Sequence, residues 1–352
     1  MELGSEFNLS LSGLKLTDHN LFSYLNEFQN KIYFDSGRSA LKYIARSLPK
    51  DGITLLPEFI CESVIDCFDR RRIRFYKIES DFTIDMESIR VQVTPDVKVI
   101  FLMHYFGMVQ PADKLDALKR TAQEQGIVII EDATHSIFSQ KRTIGDYVIS
   151  SIRKWMPLPK GGVLYTADNV LGIEMEKPGL PVSTENERAA AMILKDLFLK
   201  DLLDCNSEYR KIFADCENAL DKQEEIYRIS DLSGFMISCT DIGEIILRRK
   251  RNYQFLEEQM ACHDILPVIR LKPDDCPLVF PIRIRQRDMF RKYLTDHRIY
   301  CAVHWPFDGM MEETRTFAAE NAALLLSLPI DQRYGEDEMR YMVKVISEYR
   351  GA

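Results

Sequence analysis

Between residues 34 and 166 short β-rich runs alternate with stretches of helical character, and this alternation constrains the fold more than any other feature of the chain. The turn Asp35-Ser36-Gly37-Arg38 leads into a helical stretch at Leu41–Leu48. Ile53-Thr54-Leu55-Leu56 is a buried-strand pattern that stops at Pro57, and Cys61–Arg70 reads as a helix. Ile73–Ile78 and Val97–His104 read as strands. Ala112–Gln125 is an amphipathic helix with Gly126 in the stop position. Ile127–Ile130 is a β run that meets the acidic pair Glu131-Asp132. Strands that alternate with helices predict an α/β fold with a mostly parallel central sheet flanked by helices, joined by right-handed crossovers. In open sheets of this kind ligands sit beyond the carboxyl ends of the strands. Asp132 falls at such an end, and so does the loop after Leu102-Met103-His104.

Beyond residue 168 the character changes. Residues 168–230 are charged and largely helical. Asp241–Met260 reads as a long helix, Pro277–Arg285 as a strand, Asp288–Asp296 as a helix, Ile299–Val303 as a strand and Glu336–Arg350 as a closing helix. A chain of 352 residues exceeds the ~100–200 of one ordinary domain. The expected division is a large α/β domain over 8–230 and a smaller α+β domain over 231–352. Residues 1–7 are set aside, because Gly4-Ser5-Glu6-Phe7 reads like a cloning scar.

Composition narrows the function. A formal net charge of −8 argues against a general nucleic-acid or anionic-membrane binder. No apolar run approaches the roughly 20 residues of a membrane span, and no basic-then-apolar leader opens the chain, so a cytoplasmic protein is expected. The eight cysteines include no C-x-x-C, which fits scattered reduced thiols, and the six histidines have no paired zinc spacing, so no metal site is expected.

Three segments bear chemistry. Ser36-Gly37-Arg38-Ser39-Ala40-Leu41 is a glycine turn entering a helix. It reads as a simple cap or as a turn whose N–H groups receive a phosphate, with the Ser39 hydroxyl adding a contact. Glu131-Asp132-Ala133-Thr134-His135 ends a strand. Its Asp132 reads as a helix cap or as a carboxylate that pairs with a cationic ring in the ligand crevice. Ser150-Ser151-Ile152-Arg153-Lys154 precedes Gly161-Gly162. Lys154 taken alone is a solvated charge; in a closed site beside a cation such as Arg153 it becomes a nucleophile and base.

In order and spacing these segments resemble the DegT/DnrJ/StrS sugar aminotransferases. The resemblance rests on Ser36-Gly37-Arg38-Ser39-Ala40-Leu41, the strand end from Pro57, Met103-His104-Tyr105-Phe106-Gly107, Glu131-Asp132-Ala133-Thr134-His135, Lys154 seven and eight residues before Gly161 and Gly162, and Leu328-Pro329-Ile330. It implies a pyridoxal 5'-phosphate (PLP) enzyme of the aspartate-aminotransferase-like fold, the PLP-dependent transferase fold. Lys154 would be the Schiff-base lysine and Asp132 the partner of the ring nitrogen. His135 would lie beside the ring's O3', with His104 from the strand end before it. Gly37, Arg38 and Ser39 by their backbone, with Ser150 or Ser151 by a hydroxyl, would form the phosphate cup. Phe59 or Cys61 would cover the ring. The family also implies a homodimer, an amino-acid donor such as glutamate, and a keto acceptor such as a nucleotide-linked keto-sugar, hence sugar biosynthesis. Arg38 stands where the family has a small hydroxyl residue, and the family's G-Y-N-x-R segment has no counterpart around Ile229–Thr240. The rival expectations are another PLP reaction on the same scaffold, elimination or aldol cleavage, and a non-catalytic PLP-binding paralogue. Arg283, Arg285 and Arg333 are further candidates, for a donor carboxylate.

Overall fold

A computed structural model describes residues 2–139, 143–166, 184–307, 309 and 312–349. The strands are β1 (Leu3–Gly4), β2 (Asn30–Phe34), β3 (Ile53–Pro57), β4 (Ile73–Tyr76), β5 (Val97–Met103), β6 (Val128–Asp132), β7 (Tyr147–Ser150), β8 (Gly162–Thr166), β9 (Phe280–Arg283), β10 (Ile299–Tyr300) and β11 (Leu325–Leu328). The chain divides into two compact units. The first holds Glu6–Leu48 and Tyr147–Gly243; the second holds Glu2–Ser5, Pro49–Asp146 and Glu244–Ala352. Of the segment 168–230 read as largely helical, residues 168–183 lie outside the described residues.

In the second unit β6, β5, β3 and β4 pair side by side in that order, every pair parallel. The register sets Met103 opposite Asp132. Both are therefore carboxyl-terminal strand residues on one edge, as the alternating pattern predicts. The helix Ala112–Gln125 has the predicted bounds and buries Leu115, Leu118 and Ala122. β9 pairs antiparallel with β11. These two strands, with Tyr253, Leu256, Phe290, Leu294, Met339, Met342 and Ile346, close a separate hydrophobic core.

The first unit departs from the parallel expectation. β2 and β7 both pair antiparallel with β8, Ile32 opposite Leu164 and Ile149 opposite Leu164. The reason is the connection: Ser151–Gly161 is shorter than the dozen or more residues that a parallel crossover requires, so β8 returns directly. The helix Gly37–Ala45 packs on these strands with Ala40, Leu41 and Ile44 buried, and the helices Thr184–Leu199 and Asn206–Lys222 complete the unit.

Residues 2–5 also correct the expectation that the first seven residues stand outside the fold. β1 pairs in parallel with β10, and Leu3 is wholly buried in the second unit's core. The Gly4 N–H donates to Tyr334 Oη at 2.7 Å. Gly4 has φ +81°, and a Cβ there would stand 2.0 Å from the Tyr300 carbonyl oxygen, so glycine is required. A strand this short has no periodicity for sequence reading to detect.

Candidate functional site

In the second unit the site is built at the carboxyl ends of β5 and β6. Asp132 is buried, and its Oδ1 accepts the Thr134 N–H at 2.7 Å, which fixes the carboxylate against the turn that follows the strand. His104 and Glu131 form a buried pair, Nε2 to Oε1 at 3.0 Å. The other ring nitrogen of His104, Nδ1, accepts the Gln110 N–H at 3.2 Å. The imidazole is therefore the neutral Nε2–H form, donating to Glu131. The second Glu131 oxygen accepts the N–H groups of Ile144 and Gly145, each at 2.8 Å. His104 and Glu131 thus tie together the end of β5, the end of β6 and the 144–145 turn, and hold Asp132 in place from behind. Glu131 adjoins Asp132 in sequence, but only the strand register shows that it faces His104.

His135 Nδ1 accepts the Phe106 N–H at 3.3 Å, which makes Nε2 the donor of its neutral ring. The ring stacks against Phe106 at 5.6 Å and against Trp305 at 5.5 Å, with His304 edge-on at 5.3 Å. Phe59 is 1% exposed and packs against Phe82, Tyr105, Trp305 and Phe317. Its carbonyl accepts the Tyr105 hydroxyl at 2.7 Å, and burial pushes that phenol's pKa well up, so it stays a donor. Cys61 is half-buried at the start of the short helix Glu62–Ile65, its Sγ 3.1 Å from Ser63 Oγ. Arg315 pins this turn from below, donating to the Glu58 carbonyl at 3.0 Å and to Glu62 at 3.2 Å.

In the first unit the helix Gly37–Ala45 begins on Ser36, whose Oγ accepts the Ser39 N–H at 3.0 Å. Ser36 Oγ also lies 3.1 Å from Ser39 Oγ. Two glycines bring this helix start against the loop after β7. A Cβ on Gly37 would stand 2.9 Å from Ser151 Cβ, and one on Gly162 would stand 2.2 Å from the Ser36 carbonyl carbon and oxygen. The unit therefore assembles Gly37, Ser39 and Ser151 as one cradle, with Lys154 one helical turn beyond Ser151. Ser150 is wholly buried at the end of β7.

The Arg38 side chain is directed to the end of the helix Asn206–Lys222, where it donates to the Leu220 carbonyl at 2.7 Å and to Asp221 at 2.9 Å. Only its backbone remains available to the cradle. Arg153, next to Lys154, forms a two-pronged pair with Glu217 at 2.7 and 3.0 Å. Arg283 is held by Asn321 and the Ser80 carbonyl, and Arg333 by Asp331 and the carbonyls of Gly4 and Ser5. Sequence reading missed Asp35, Lys160 and Gln223, which surround the start of the helix Gly37–Ala45; the signal was adjacency, since Asp35 precedes Ser36 and Lys160 precedes Gly161-Gly162.

Each unit, taken by itself, offers a set of groups that fits one part of PLP. A buried carboxylate at a parallel strand end suits a protonated pyridine ring, and a glycine-lined cradle at a helix start with two serine hydroxyls suits a phosphate.

Residues 74–175 match the model of the DegT/DnrJ/EryC1/StrS aminotransferase family. Among solved structures the sugar aminotransferase CalS13 from Micromonospora echinospora aligns at 14% identity with a TM-score of 0.66, covering 98% of this chain and 99% of that one. The putative sugar aminotransferase Spr1654 from Streptococcus pneumoniae in its PLP form aligns at 15% identity and TM-score 0.64, covering 95% and 92%. DesI, solved in the presence of its TDP-sugar product, aligns at 18% identity and TM-score 0.65, covering 92% and 81%. Residues 74–175 are thus similar to the DegT/DnrJ/EryC1/StrS aminotransferase family, and the chain shares its fold with sugar aminotransferases along nearly its whole length.

Proposed function

We propose that the protein is a PLP-dependent aminotransferase that moves an amino group from glutamate to a nucleotide-linked keto-sugar. The observation that carries this reading is that the family-matched segment 74–175 contains both Asp132, buried at the carboxyl end of a parallel strand, and Lys154. When bound, PLP supplies an aldehyde that takes the amine and a ring that accepts the electron pair left when Cα loses its proton. Asp132 holds the proton at the pyridine nitrogen. Lys154 Nζ would provide the amine that holds the cofactor and would move the proton to and from the substrate Cα. His135 Nε2 would donate to the ring oxygen. The backbone of Gly37, Arg38 and Ser39, with Ser150 or Ser151, holds the phosphate. The turn from Phe59 to Cys61 covers the ring. The sugar acceptor is supported by the structural neighbours, CalS13 being a sugar aminotransferase and DesI having been solved in the presence of its TDP-sugar product.

In this reading the large domain spans 8–230 and the small one 231–352, and the active species is a cytoplasmic homodimer. Sedimentation at micromolar concentration tests this, and a monomer would refute it.

The deciding experiment is an absorption spectrum of the purified protein with PLP, before and after glutamate. A visible band that glutamate shifts to the near ultraviolet is expected. A band indifferent to glutamate would refute the donor, and no band would refute the cofactor.

A further inference from the structure

The first unit buries a charged pair for which the proposed reaction has no use. Asp35 is 0% exposed and lies directly before the Ser36 cap. Its Oδ2 faces Lys160 Nζ at 3.4 Å and accepts from Gln223 Nε2 at 2.9 Å. Its Oδ1 lies 3.5 Å from the donating Ser36 Oγ. Lys160, itself 8% exposed, also reaches Gln223 Oε1 at 3.4 Å, and Gln223 Nε2 lies 3.4 Å from Ser39 Oγ. One lysine, one aspartate and one glutamine therefore brace both hydroxyls at the start of the helix Gly37–Ala45.

A buried ion pair adds little net stability over apolar packing, so stability alone gives no reason for it. Electrostatics gives one. A lone carboxylate beside a helix start is favoured by the helix dipole, but it occupies the same positive end that an incoming phosphate needs and repels the dianion. The Lys160 ammonium cancels that charge. The one Ser36 Oγ hydrogen is shared between Ser39 Oγ at 3.1 Å and Asp35 Oδ1 at 3.5 Å, and Gln223 Nε2 borders Ser39 Oγ, so the network flanks both hydroxyls.

We propose that Lys160 is a positioning residue: acting through Asp35, it keeps the Ser36–Ser39 helix start neutral and aligned to receive a phosphate monoester. The inference rests on the reading above, in which that monoester belongs to PLP.

The test compares wild type with Lys160→Met, Lys160→Arg, Asp35→Asn and the double variant Lys160→Met/Asp35→Asn. Dissociation constants are measured for PLP and, on apoprotein, for inorganic phosphate, with melting temperatures alongside. Lys160→Met is expected to weaken both ligands by about tenfold or more, because it leaves a buried unpaired carboxylate. Lys160→Arg should recover most of that loss. The double variant should bind within about threefold of wild type, since the two effects are coupled. Asp35→Asn alone should bind phosphate at least as tightly as wild type, and this holds as a test even if Lys160→Met does not fold. A Lys160→Met protein with a lowered melting temperature but unchanged affinities overturns the proposal, and so does a double variant as weak as Lys160→Met. Wild-type protein that takes up no PLP overturns the functional reading and this inference with it; wild type that binds PLP beside an unchanged Lys160→Met overturns this inference alone.

Discussion

At the residue scale the roles proposed for Asp132 and Lys154 differ, and substitution separates them. Lys154→Ala is expected to abolish the visible band formed with PLP, because no other amine is assigned to the aldehyde; an unchanged band in that variant would reassign the lysine. Asp132→Asn keeps the size and the hydrogen bond from Thr134 but loses the charge. It is expected to bind PLP within a few-fold of wild type while turnover falls by about a hundredfold or more. Single-turnover kinetics with glutamate checks this, and unchanged turnover would remove Asp132 from the chemistry. Gly162 tests the cradle. A methyl group there meets the Ser36 main chain at 2.2 Å, and main chain yields poorly. Gly162→Ala should cost ~1–3 kcal/mol in urea denaturation, and a neutral result would show that the helix start can move away from β8.

At the element scale a charge cluster joins the helices Thr184–Leu199 and Asn206–Lys222 to the turn that carries Lys154. Glu217 accepts from Arg153 at 2.7 and 3.0 Å and from Arg188 at 2.5 Å, and Arg188 in turn meets Glu6 at 2.5 Å. Burial pushes the Glu217 carboxyl up, but Arg153 and Arg188 together outweigh it and hold the group at about 2. In an unfolded chain a glutamate titrates near ~4.3. The folded state therefore binds this proton more weakly, so the cluster's contribution is complete above ~4.3 and is lost as pH falls through about 2. The gap in melting temperature between wild type and Glu217→Gln should be full near pH ~6 and shrink from pH ~4.3 downward. A gap that stays constant to pH ~3 would show that Glu217 is not held low. The same cluster accounts for Arg153. Its sequence position beside Lys154 suggested a cation that tunes the lysine, but its guanidinium is committed to Glu217, so its effect on Lys154 is to fix the turn's backbone.

At the scale of the whole molecule the amino-terminal strand is the clearest addition to the sequence reading. Leu3 is wholly buried among Phe280, Ile299 and Leu328, and Gly4 is tied to Tyr334. Leu3→Ala is expected to cost ~2–4 kcal/mol, the loss typical of a buried leucine, measured by chemical denaturation. A cost below ~0.5 kcal/mol, the level of a surface substitution, would show that residues 2–5 are dispensable to the fold.

Local chemistry made some features legible in advance. The helix Ala112–Gln125 was readable to the residue, because its apolar period and its glycine stop are properties of the segment itself. Val97–Met103 and Val128–Asp132 were readable within a residue or two, because strands buried on both faces are written as continuous apolar runs. β2 and β7 were not, since their pairing depends on residues more than a hundred positions or a whole loop away. The position of Asp132 at a strand end followed from the sequence alone. The partnership of His104 with Glu131, the direction of Arg38, and the burial of Asp35 with Lys160 followed only from the tertiary structure. A side chain's type and spacing are set by its neighbours in the chain, whereas its ionic and hydrogen-bond partners are set by which distant segments the core brings together, and burial then forces each polar group to find one.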